Sequence, residues 1–373
     1  MNFEDDVVMK RVLCIVSSLN AGGAETFLMK LYRTFDLNEY QMDFVVNVEG
    51  IYDSEVKQRG GKVYTTPLRT NHPLKSFWAL KNVVSKGEYN FVLKLCDTPI
   101  GLVDIIAAKL GGATKVGVRS CNASADIGFA KRILCAVMRP LFNWMLNYKI
   151  APSELAARFT FGDKEFEKGY VQLLHNGINL DEYRYDEAGR VRIRSEFSLD
   201  RSFVVGHIGR FNKQKNHAFL LSVFSEIVKR RNDAVLMLVG SGELENNIKS
   251  LAKEYDILDR VIFTGIRSDV PALLSAMDVF VFPSFFEGMP NTVIEAQACG
   301  LPCVISDSIT QEAQLTGLVS YLSLKEDAVK WADAALSQSR TTNDKIIEEI
   351  ASAGYSIDQV TNRFCEIVFE GKT

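Results

Sequence analysis

The feature that most constrains the fold is an alternation of short β-branched runs with helical stretches. Strand-like runs at Val12–Ser17, Met42–Val48 and Phe91–Leu95 alternate with helical patterns such as Ala24–Phe35. Near-continuous apolar strands joined by helical crossovers predict a parallel sheet covered by helices on both faces. The first half of the chain therefore predicts a doubly wound, Rossmann-like α/β unit.

The same pattern restarts in the second half. A polar stretch, 179–200, has no clean period, and a new strand-like run begins at Phe203–Ile208. A chain of 373 residues is also long for a single hydrophobic core. We predict an α/β protein of two Rossmann-like doubly wound domains, residues 1–180 and 181–355, facing each other across a ligand-binding cleft.

Charge and composition exclude several classes of protein. The first 180 residues carry 22 Lys and Arg against 18 Asp and Glu, and the rest carry 21 against 28, so the halves have net charges of +4 and −7. Neither half is basic enough to make nucleic acid the expected partner. No run is apolar and long enough to span a membrane, and the acidic start resembles no signal peptide. The seven Cys form no CxxC pair, so we expect a cytoplasmic protein with reduced thiols and no metal site.

Three loops that follow predicted strands carry glycines suited to close ligand contact. Gly22 and Gly23 precede the first helix, and Gly240 and Gly242 precede another. Bare backbone there allows a ligand to reach the first-turn N–H groups, although plain strand–helix turns explain both pairs equally well. The third loop follows Gly209.

The loop after Gly209 is rich in cations. Arg210 and Lys215 lie directly after the strand. An arginine fork and a compact lysine charge at a strand end suit a diphosphate. The alternative is an ordinary solvated loop.

The strongest segment is residues 282–302, which contains two carboxylates eight positions apart. Glu287 is in a loop, and Glu295 lies on a helix that begins near Asn291 or Thr292. First-turn amides bind phosphate oxygens, and an acidic side chain accepts hydrogen bonds from ribose hydroxyls. A carboxylate on an otherwise apolar helix also departs from simple patterning. The alternative is a capped helix with one exposed Glu.

Taken in order, these motifs resemble the GT-B glycosyltransferases, specifically the retaining glycosyltransferase family 4. The Gly22–Glu25 loop, residues 175–179, the Gly209–Arg210 pair with Lys215, and the spacing of Glu287 and Glu295 all match family motifs. Within that family, the chain looks most like bacterial capsular or exopolysaccharide enzymes.

The resemblance implies a nucleotide-sugar donor, a UDP-sugar, held by the second domain. Arg210 and Lys215 would neutralise the departing diphosphate and Glu287 would hold the donor sugar, and these three are the catalytic candidates. It implies no metal and no cofactor, same-face attack without a protein nucleophile, and a last helix, 356–373, that packs back on the first domain. The implied donor-binding residues are Gly22, Gly23, Gly209, Arg210, Lys215, Ile266, Glu287, Gly288, Met289, Asn291, Thr292 and Glu295.

One position departs from the family. Relatives carry a His near the donor sugar in the first domain, whereas the matching stretch here has Cys121 followed by Asn122. With Asp97, which follows a predicted strand, these residues are candidates for contact with acceptor or sugar. A turn-capping role for Asp97 stays open.

Residues 130–149 are unusually apolar and contain four basic side chains without an acidic one. This composition predicts either a surface that contacts an anionic membrane on its inner face or a pair of core helices broken at Pro140.

The sequence therefore predicts a retaining glycosyltransferase that moves a hexose or N-acetylhexosamine from a nucleotide-sugar to a glycan or lipid-linked acceptor in capsule or exopolysaccharide synthesis. The alternative that Cys121 favours is a catalytically silent nucleotide-sugar-binding subunit that partners an active transferase. An epimerase or a glycogen-synthase-like polymerase fits the short loops less well. A nicotinamide dehydrogenase would require a dinucleotide fingerprint, which the chain lacks.

Overall fold

The computed structural model describes residues 9–20, 22–121 and 128–372, and the chain divides into two compact units. Unit 1 extends to Gly177 and resumes at Tyr355, and unit 2 is Ile178–Gly354. The predicted boundaries, 180 and 355, lie within three residues of these positions.

Unit 1 is built on a parallel sheet whose seven described strands are ordered β3-β2-β1-β4-β5-β6-β7. Its last helix is α15, Ile357–Cys365, which continues as a π-helical turn, Glu366–Glu370. The remaining elements are β1 Lys10–Ile15, α1 Gly23–Thr34, β2 Tyr40–Val46, α2 Asp53–Gln58, β3 Val63–Thr65, α3 Pro73–Lys86, β4 Phe91–Leu95, α4 Leu102–Leu110, β5 Lys115–Arg119, α5 Phe129–Met145, β6 Tyr148–Ala151, α6 Glu154–Phe161, α7 Asp163–Glu167 and β7 Gln172–Leu173.

Unit 2 has a second parallel sheet, in which the described strands are ordered β10-β9-β8-β11-β12-β13. Its elements are α8 Glu187–Glu196, β8 Phe203–Ile208, α9 His217–Val228, β9 Ala234–Val239, α10 Glu245–Glu254, β10 Val261–Gly265, α11 Val270–Ala276, β11 Val279–Phe282, α12 Asn291–Ala298, β12 Cys303–Ser306, β13 Val319–Leu322, α13 Ala328–Leu336 and α14 Asp344–Ser352.

The strand β1 shows why both faces of a doubly wound sheet must be covered. Val12 and Cys14 enter one buried cluster and Leu13 and Ile15 enter the other, because successive side chains of a strand point to opposite faces. The last helix, α15, belongs to unit 1 and adds Phe364 to the first of these clusters.

Two segments that the sequence pattern left open are assigned by the structure. The polar stretch after residue 179 forms the helix α8, which is held by ion pairs of Arg190 and Arg194 with Asp278 at 2.7 and 2.6 Å and not by an apolar stripe. Most of the apolar segment 130–149 lies in one helix, α5, which contains Pro140 and ends at Met145, and the last residue of the segment, Lys149, belongs to β6. Pro140 does not break this helix, and most of its apolar side chains are exposed, so the alternative of a core helix pair is excluded.

Candidate active site

The candidate site of unit 2 lies where β8 and β11 end. These strands are adjacent and parallel, so their carboxyl ends meet at one edge of the sheet. Topology alone therefore places the loop after Gly209 beside the loop that contains Glu287, although 72 residues separate Lys215 from Glu287.

The loop after β8 has a defined shape. The Asn212 side chain accepts a hydrogen bond from the Lys215 amide at 3.2 Å, which caps a single 3-10 turn at 213–215. Asn216 follows in the left-handed region at φ 54° and α9 begins at His217. An asparagine tolerates this conformation better than most residues. The two asparagines therefore fix the backbone position from which the Lys215 side chain extends.

Lys215 and Glu287 form a mostly buried ion pair. The Lys215 Nζ donates to Glu287 Oε1 at 2.8 Å, and the two side chains are 15% and 12% exposed. The ammonium also lies 4.4 Å from the centroid of the Phe282 ring, a cation–π distance. The ion pair is preorganised, because the Phe282 ring and the Glu287 carboxylate together restrict the position of the Lys215 ammonium.

Two further hydrogen bonds hold the two loops together. The Phe285 amide donates to the Gln214 carbonyl at 2.9 Å, and the Gln214 side chain donates to the Phe286 carbonyl at 2.9 Å. Lys215 and Glu287 are the residues that follow these anchors, so their separation is set by backbone hydrogen bonds.

Arg210 is in a different environment. Its guanidinium is 72% exposed and pairs with Glu243 at 3.2 Å. The Glu243 pKa is lowered by a backbone hydrogen bond and by Arg210. An exposed pair of this kind is weak, so Arg210 can exchange its partner for a more highly charged anion.

Glu295 is not the exposed helix residue that the alternative interpretation required. It lies on α12 and is only 7% exposed. Tyr183, which is 8% exposed, makes a side-chain hydrogen bond with it, and burial together with the Glu295 charge raises the Tyr183 pKa. The N-cap residue of α12 is Pro290, whose side chain provides no cap, so Asn291 and Thr292 begin the helix at an end suited to an anion.

The glycines after β9 have a structural explanation. A Cβ at Gly240, where φ is 136°, would lie 2.2 Å from the Gly209 carbonyl oxygen, and a Cβ at Gly242 would lie 2.5 Å from the Phe211 carbonyl oxygen. Both glycines therefore allow this loop to pack against the start of the cationic loop.

Two histidines lie buried behind Lys215. The His207 ring donates from Nδ1 to the Val281 carbonyl at 2.9 Å and contacts the His217 ring at 4.8 Å between centroids. Neither ring nitrogen of His217 has a hydrogen-bond partner within the described chain. Burial, with the nearby Lys215 charge, lowers the His217 pKa to about 4, so both rings are neutral at pH 7.

The candidate residues of unit 1 also follow strand ends. Gly22 is the N-cap of α1 and Gly23 its first residue, and a Cβ at Gly23 would meet nothing within 4 Å. The Asp97 carboxylate accepts the Cys121 amide at 2.9 Å, so it links the ends of β4 and β5. Burial raises the pKa of the Cys121 thiol to about 12, which keeps it protonated at pH 7.

Other predicted residues are placed apart from these contacts. Ile266 follows β10 and is 82% exposed. Gly288 and Met289 lie in the loop between Glu287 and α12, and Asn122 lies outside the described residues. Sequence reasoning missed Tyr183 and Glu243, whose roles depend on contacts with residues that are distant along the chain.

The structure adds two observations about the residues it describes. None of their His, Cys, Asp and Glu side chains form a group of three or more that could hold a metal ion. Among the helices of the same residues, none has the length and apolarity needed to cross a bilayer.

Known proteins resemble this chain in sequence and in fold. Residues 202–339 match the family model described as glycosyl transferases group 1. "Putative glycosyltransferase EpsF" of Bacillus subtilis is 35% identical over 362 residues, which cover 94% of each chain. This chain belongs to the group 1 glycosyltransferases.

More distant relatives agree with the assignment. An Escherichia coli enzyme named UDP-Gal:alpha-D-GlcNAc-diphosphoundecaprenol alpha-1,3-galactosyltransferase is 27% identical over 63% of this chain and 62% of its own. The crystal structure of Anabaena HepE in complex with UDP and glucose superposes with a TM-score of 0.76 at 19% identity, covering 96% of this chain and 99% of HepE. Likeness at that identity shows the fold, and the predicted GT-B architecture and transferase class of the chain are confirmed.

Proposed function

We propose that this glycosyltransferase moves a hexose or N-acetylhexosamine from a UDP-sugar, with retention, to a glycan or lipid-linked acceptor during capsule or exopolysaccharide synthesis. The observation that carries the proposal is the buried pair of Lys215 and Glu287 at the strand edge of unit 2. The choice of UDP and of a lipid-linked acceptor is supported by the E. coli relative's name and by the UDP bound in HepE.

In this proposal the cations bind the diphosphate of the donor. Lys215 offers a fixed ammonium, and Arg210 offers an exposed fork that can leave Glu243. Negative charge grows on the diphosphate as the bond from the sugar to phosphate breaks, and preorganised positive charge stabilises that state more than the bound donor. The two cations supply this stabilisation without a metal or cofactor.

The carboxylates orient the sugars. Glu287 accepts hydrogen bonds from hydroxyls of the donor hexose while it stays paired with Lys215. The same ion pair therefore aligns the sugar and the leaving group. Glu295, buried and hydrogen-bonded to Tyr183, accepts ribose hydroxyls. The start of α12 at Asn291 and Thr292 receives phosphate oxygens.

The remaining donor residues act through backbone and apolar contact. Gly209, Gly288 and Met289 present main chain to the donor, and Ile266 provides an exposed apolar surface for the base. Gly23 leaves open space at the start of α1, where Gly22 and Gly23 offer amides to the donor.

The bond changes then balance without a protein nucleophile. The bond from the sugar C1 to the diphosphate oxygen breaks and the pair of electrons leaves with UDP. The acceptor hydroxyl attacks C1 from the same face, and its proton passes to the departing phosphate oxygen. Retention follows because bond breaking and bond making use one face of the sugar.

Asp97, Cys121 and Asn122 are the proposed contacts to acceptor or sugar in unit 1. Cys121 also favours the second candidate, a silent subunit that binds nucleotide-sugar, because a protonated thiol is a poorer hydrogen-bonding group than imidazole. A protein that binds the donor tightly and shows no transfer to any lipid-linked glycan would support this second candidate.

We also propose that α5 contacts an anionic membrane. Phe129 and Trp144 are each 80% exposed and Val137 is 72% exposed, and α5 carries three basic residues with no acidic one. An apolar stripe flanked by cations is the pattern of helices that lie in the membrane interface.

A thermal-shift screen of UDP-, GDP- and ADP-sugars tests the donor. A ligand that binds only the folded state raises Tm by mass action, and we expect the largest rise with a UDP-sugar. Glu295→Ala should abolish that rise and transfer activity, whereas Glu254→Ala, on the exposed end of α10, should keep both. An unchanged response of Glu295→Ala would refute the site assignment.

Vesicle flotation tests the membrane contact. The protein should float with vesicles that contain phosphatidylglycerol and stay behind with pure phosphatidylcholine. A Trp144→Ser variant should lose flotation at an unchanged Tm, because the ring is exposed. Equal recovery with both vesicles would contradict the proposal.

A further inference from the structure

A second cavity of unit 2 lies at the opposite edge of its sheet, where β8 and β11 begin. It has a volume of about 380 Å³, and five arginines line it together with Asp200 and Asp278. Strand β8 starts at Phe203 and β11 at Val279, so this cavity is separate from the Lys215 site at the other strand ends. Its arginines are Arg190, Arg194, Arg201, Arg231 and Arg340.

Three of these arginines have a structural role that accounts for part of their hydrogen-bonding capacity. Arg190, Arg194 and Arg340 donate to carbonyls at the end of α11, between Leu274 and Met277. Because carbonyls at a helix C-terminus attract positive charge, this packing explains why guanidinium groups gather here. It does not explain how many there are.

The positive charge of the cavity exceeds the negative charge. Asp278 is shared, since Arg190 binds one oxygen at 2.7 Å and Arg194 binds the other at 2.6 Å. Arg340 carries no carboxylate partner among the described residues, and its buried Nε has no hydrogen-bond partner there. Arg190 and Arg340 each oppose the positive charge of Arg194, and with burial they lower its pKa.

Donors remain at the rim. Arg201 is exposed, and no hydrogen bond or ion pair holds its side chain within the described chain. Arg231 is fixed by Asp233 at 2.9 Å and lies over the Phe203 ring, so its position is set. Ser202 and Gln338 add polar groups to the lining.

We propose that this cavity binds a small soluble phosphate-bearing anion. Guanidinium forks match phosphate oxygens in pairs, and the volume lies within the range of small-molecule sites. A bound dianion balances the excess charge of the five arginines while the carbonyl contacts stay in place. The site is independent of the donor site, because it shares no residue with it.

Calorimetric titration with inorganic pyrophosphate tests the proposal. The donor site also takes a diphosphate, so the full-length protein should bind two pyrophosphates. Arg201→Gln with Arg231→Gln should weaken one of these sites by at least about ten-fold. Lys215→Met should weaken the other, so failure of the donor site leaves the cavity's binding visible.

A matched control separates a site from general attraction. Arg230→Gln with Arg260→Gln removes two positive charges from the same unit outside the lining of the cavity, and it should leave both sites unchanged. Asp200→Asn should tighten binding at the cavity, because it removes a rim carboxylate. Arg260 is partly buried and the other side chains substituted in the cavity and in the control are exposed, and an unchanged Tm of the ligand-free variants verifies folding.

Three results would overturn the proposal. The first is a single pyrophosphate site that Lys215→Met abolishes. The second is equal weakening in the Arg201/Arg231 and the Arg230/Arg260 double variants. The third is binding that appears only with phosphatidylglycerol vesicles and not with pyrophosphate, which would assign the cavity to a lipid headgroup.

Discussion

The buried His217 should make unit 2 sensitive to acid. Its folded-state pKa is about 4 against an ordinary value of 6.5, so the unfolded chain binds the proton more tightly. The stabilisation associated with the neutral ring is therefore present above pH 6.5 and is lost as the pH falls towards 4. For a single group with these two values, unfolding free energy falls by about 2 kcal/mol between pH 7 and pH 5.

Substitution by leucine isolates this effect. The His217 ring is 3% exposed and packs against the rings of His207 and Phe211, so His217→Leu keeps an apolar group of similar size. It also removes buried nitrogens for which the described part of the chain offers no hydrogen-bond partner, and we expect a gain of roughly 1 kcal/mol at pH 7. The share of the acid-induced loss that comes from His217, about 2 kcal/mol between pH 7 and pH 5, should disappear. A share of similar size remains, because burial also lowers the pKa of His207.

The assay must report on unit 2 alone. Trp331 is buried in that unit, while the other two tryptophans, Trp78 and Trp144, belong to unit 1, so replacing these two by Phe leaves one local fluorophore. Urea unfolding is then followed at pH 7, 6 and 5. His72→Gln, at an exposed position, should behave as the parent does. A His217→Leu variant that loses as much stability as the parent between pH 7 and pH 5 would refute the reasoning.

Three further substitutions test the surroundings of the site. Gly240→Ala should lower the unfolding free energy by more than about 2 kcal/mol in urea unfolding, because the new Cβ meets the Gly209 carbonyl and φ is 136°. A neutral effect would show that the loop is not packed as described. Tyr183→Phe should raise the KM for donor roughly ten-fold with a smaller effect on kcat, since Glu295 loses a hydrogen bond. Tyr255→Phe, on a partly exposed ring, is the control, and an equal KM in both variants would contradict a role of Tyr183 in positioning Glu295. Gln297→Ala should lower the unfolding free energy by about 3 kcal/mol in the same assay. The fully buried amide accepts hydrogen bonds from Leu315 and Thr316 and donates to the Val293 and Ala313 carbonyls, and a loss below about 1 kcal/mol would contradict this network.

The alternation of apolar strands and helices was sufficient to predict both sheets, because burial on two faces leaves a strong local pattern. The pattern left α8 unassigned, because this helix is held by contacts of Arg190 and Arg194 with Asp278, which is more than 80 residues away. The sequence left open whether Pro140 breaks its segment, and the structure shows an unbroken helix there.

The candidate site was predictable to a similar degree. The spacing of Glu287 and Glu295, and an apolar helix that carries a carboxylate, indicated candidate positions in the sequence. Two facts required the structure: that Glu287 is bonded to Lys215, and that Arg210 is exposed while Lys215 is not. Both depend on which strands are neighbours and on the Gln214 contacts that hold their loops together.

The central claim is that Lys215 is the cation that holds the donor diphosphate, and the affinity for UDP tests it most directly. Calorimetry should compare Lys215→Met with Lys213→Met, since Lys213 is exposed in the same turn and its loss removes the same charge. Because Lys215→Met leaves Glu287 without its partner, a Lys215→Met/Glu287→Gln variant provides a folded comparison. We predict at least about a ten-fold loss of UDP affinity in both Lys215 variants and none in Lys213→Met. Equal affinities in all three would contradict the account.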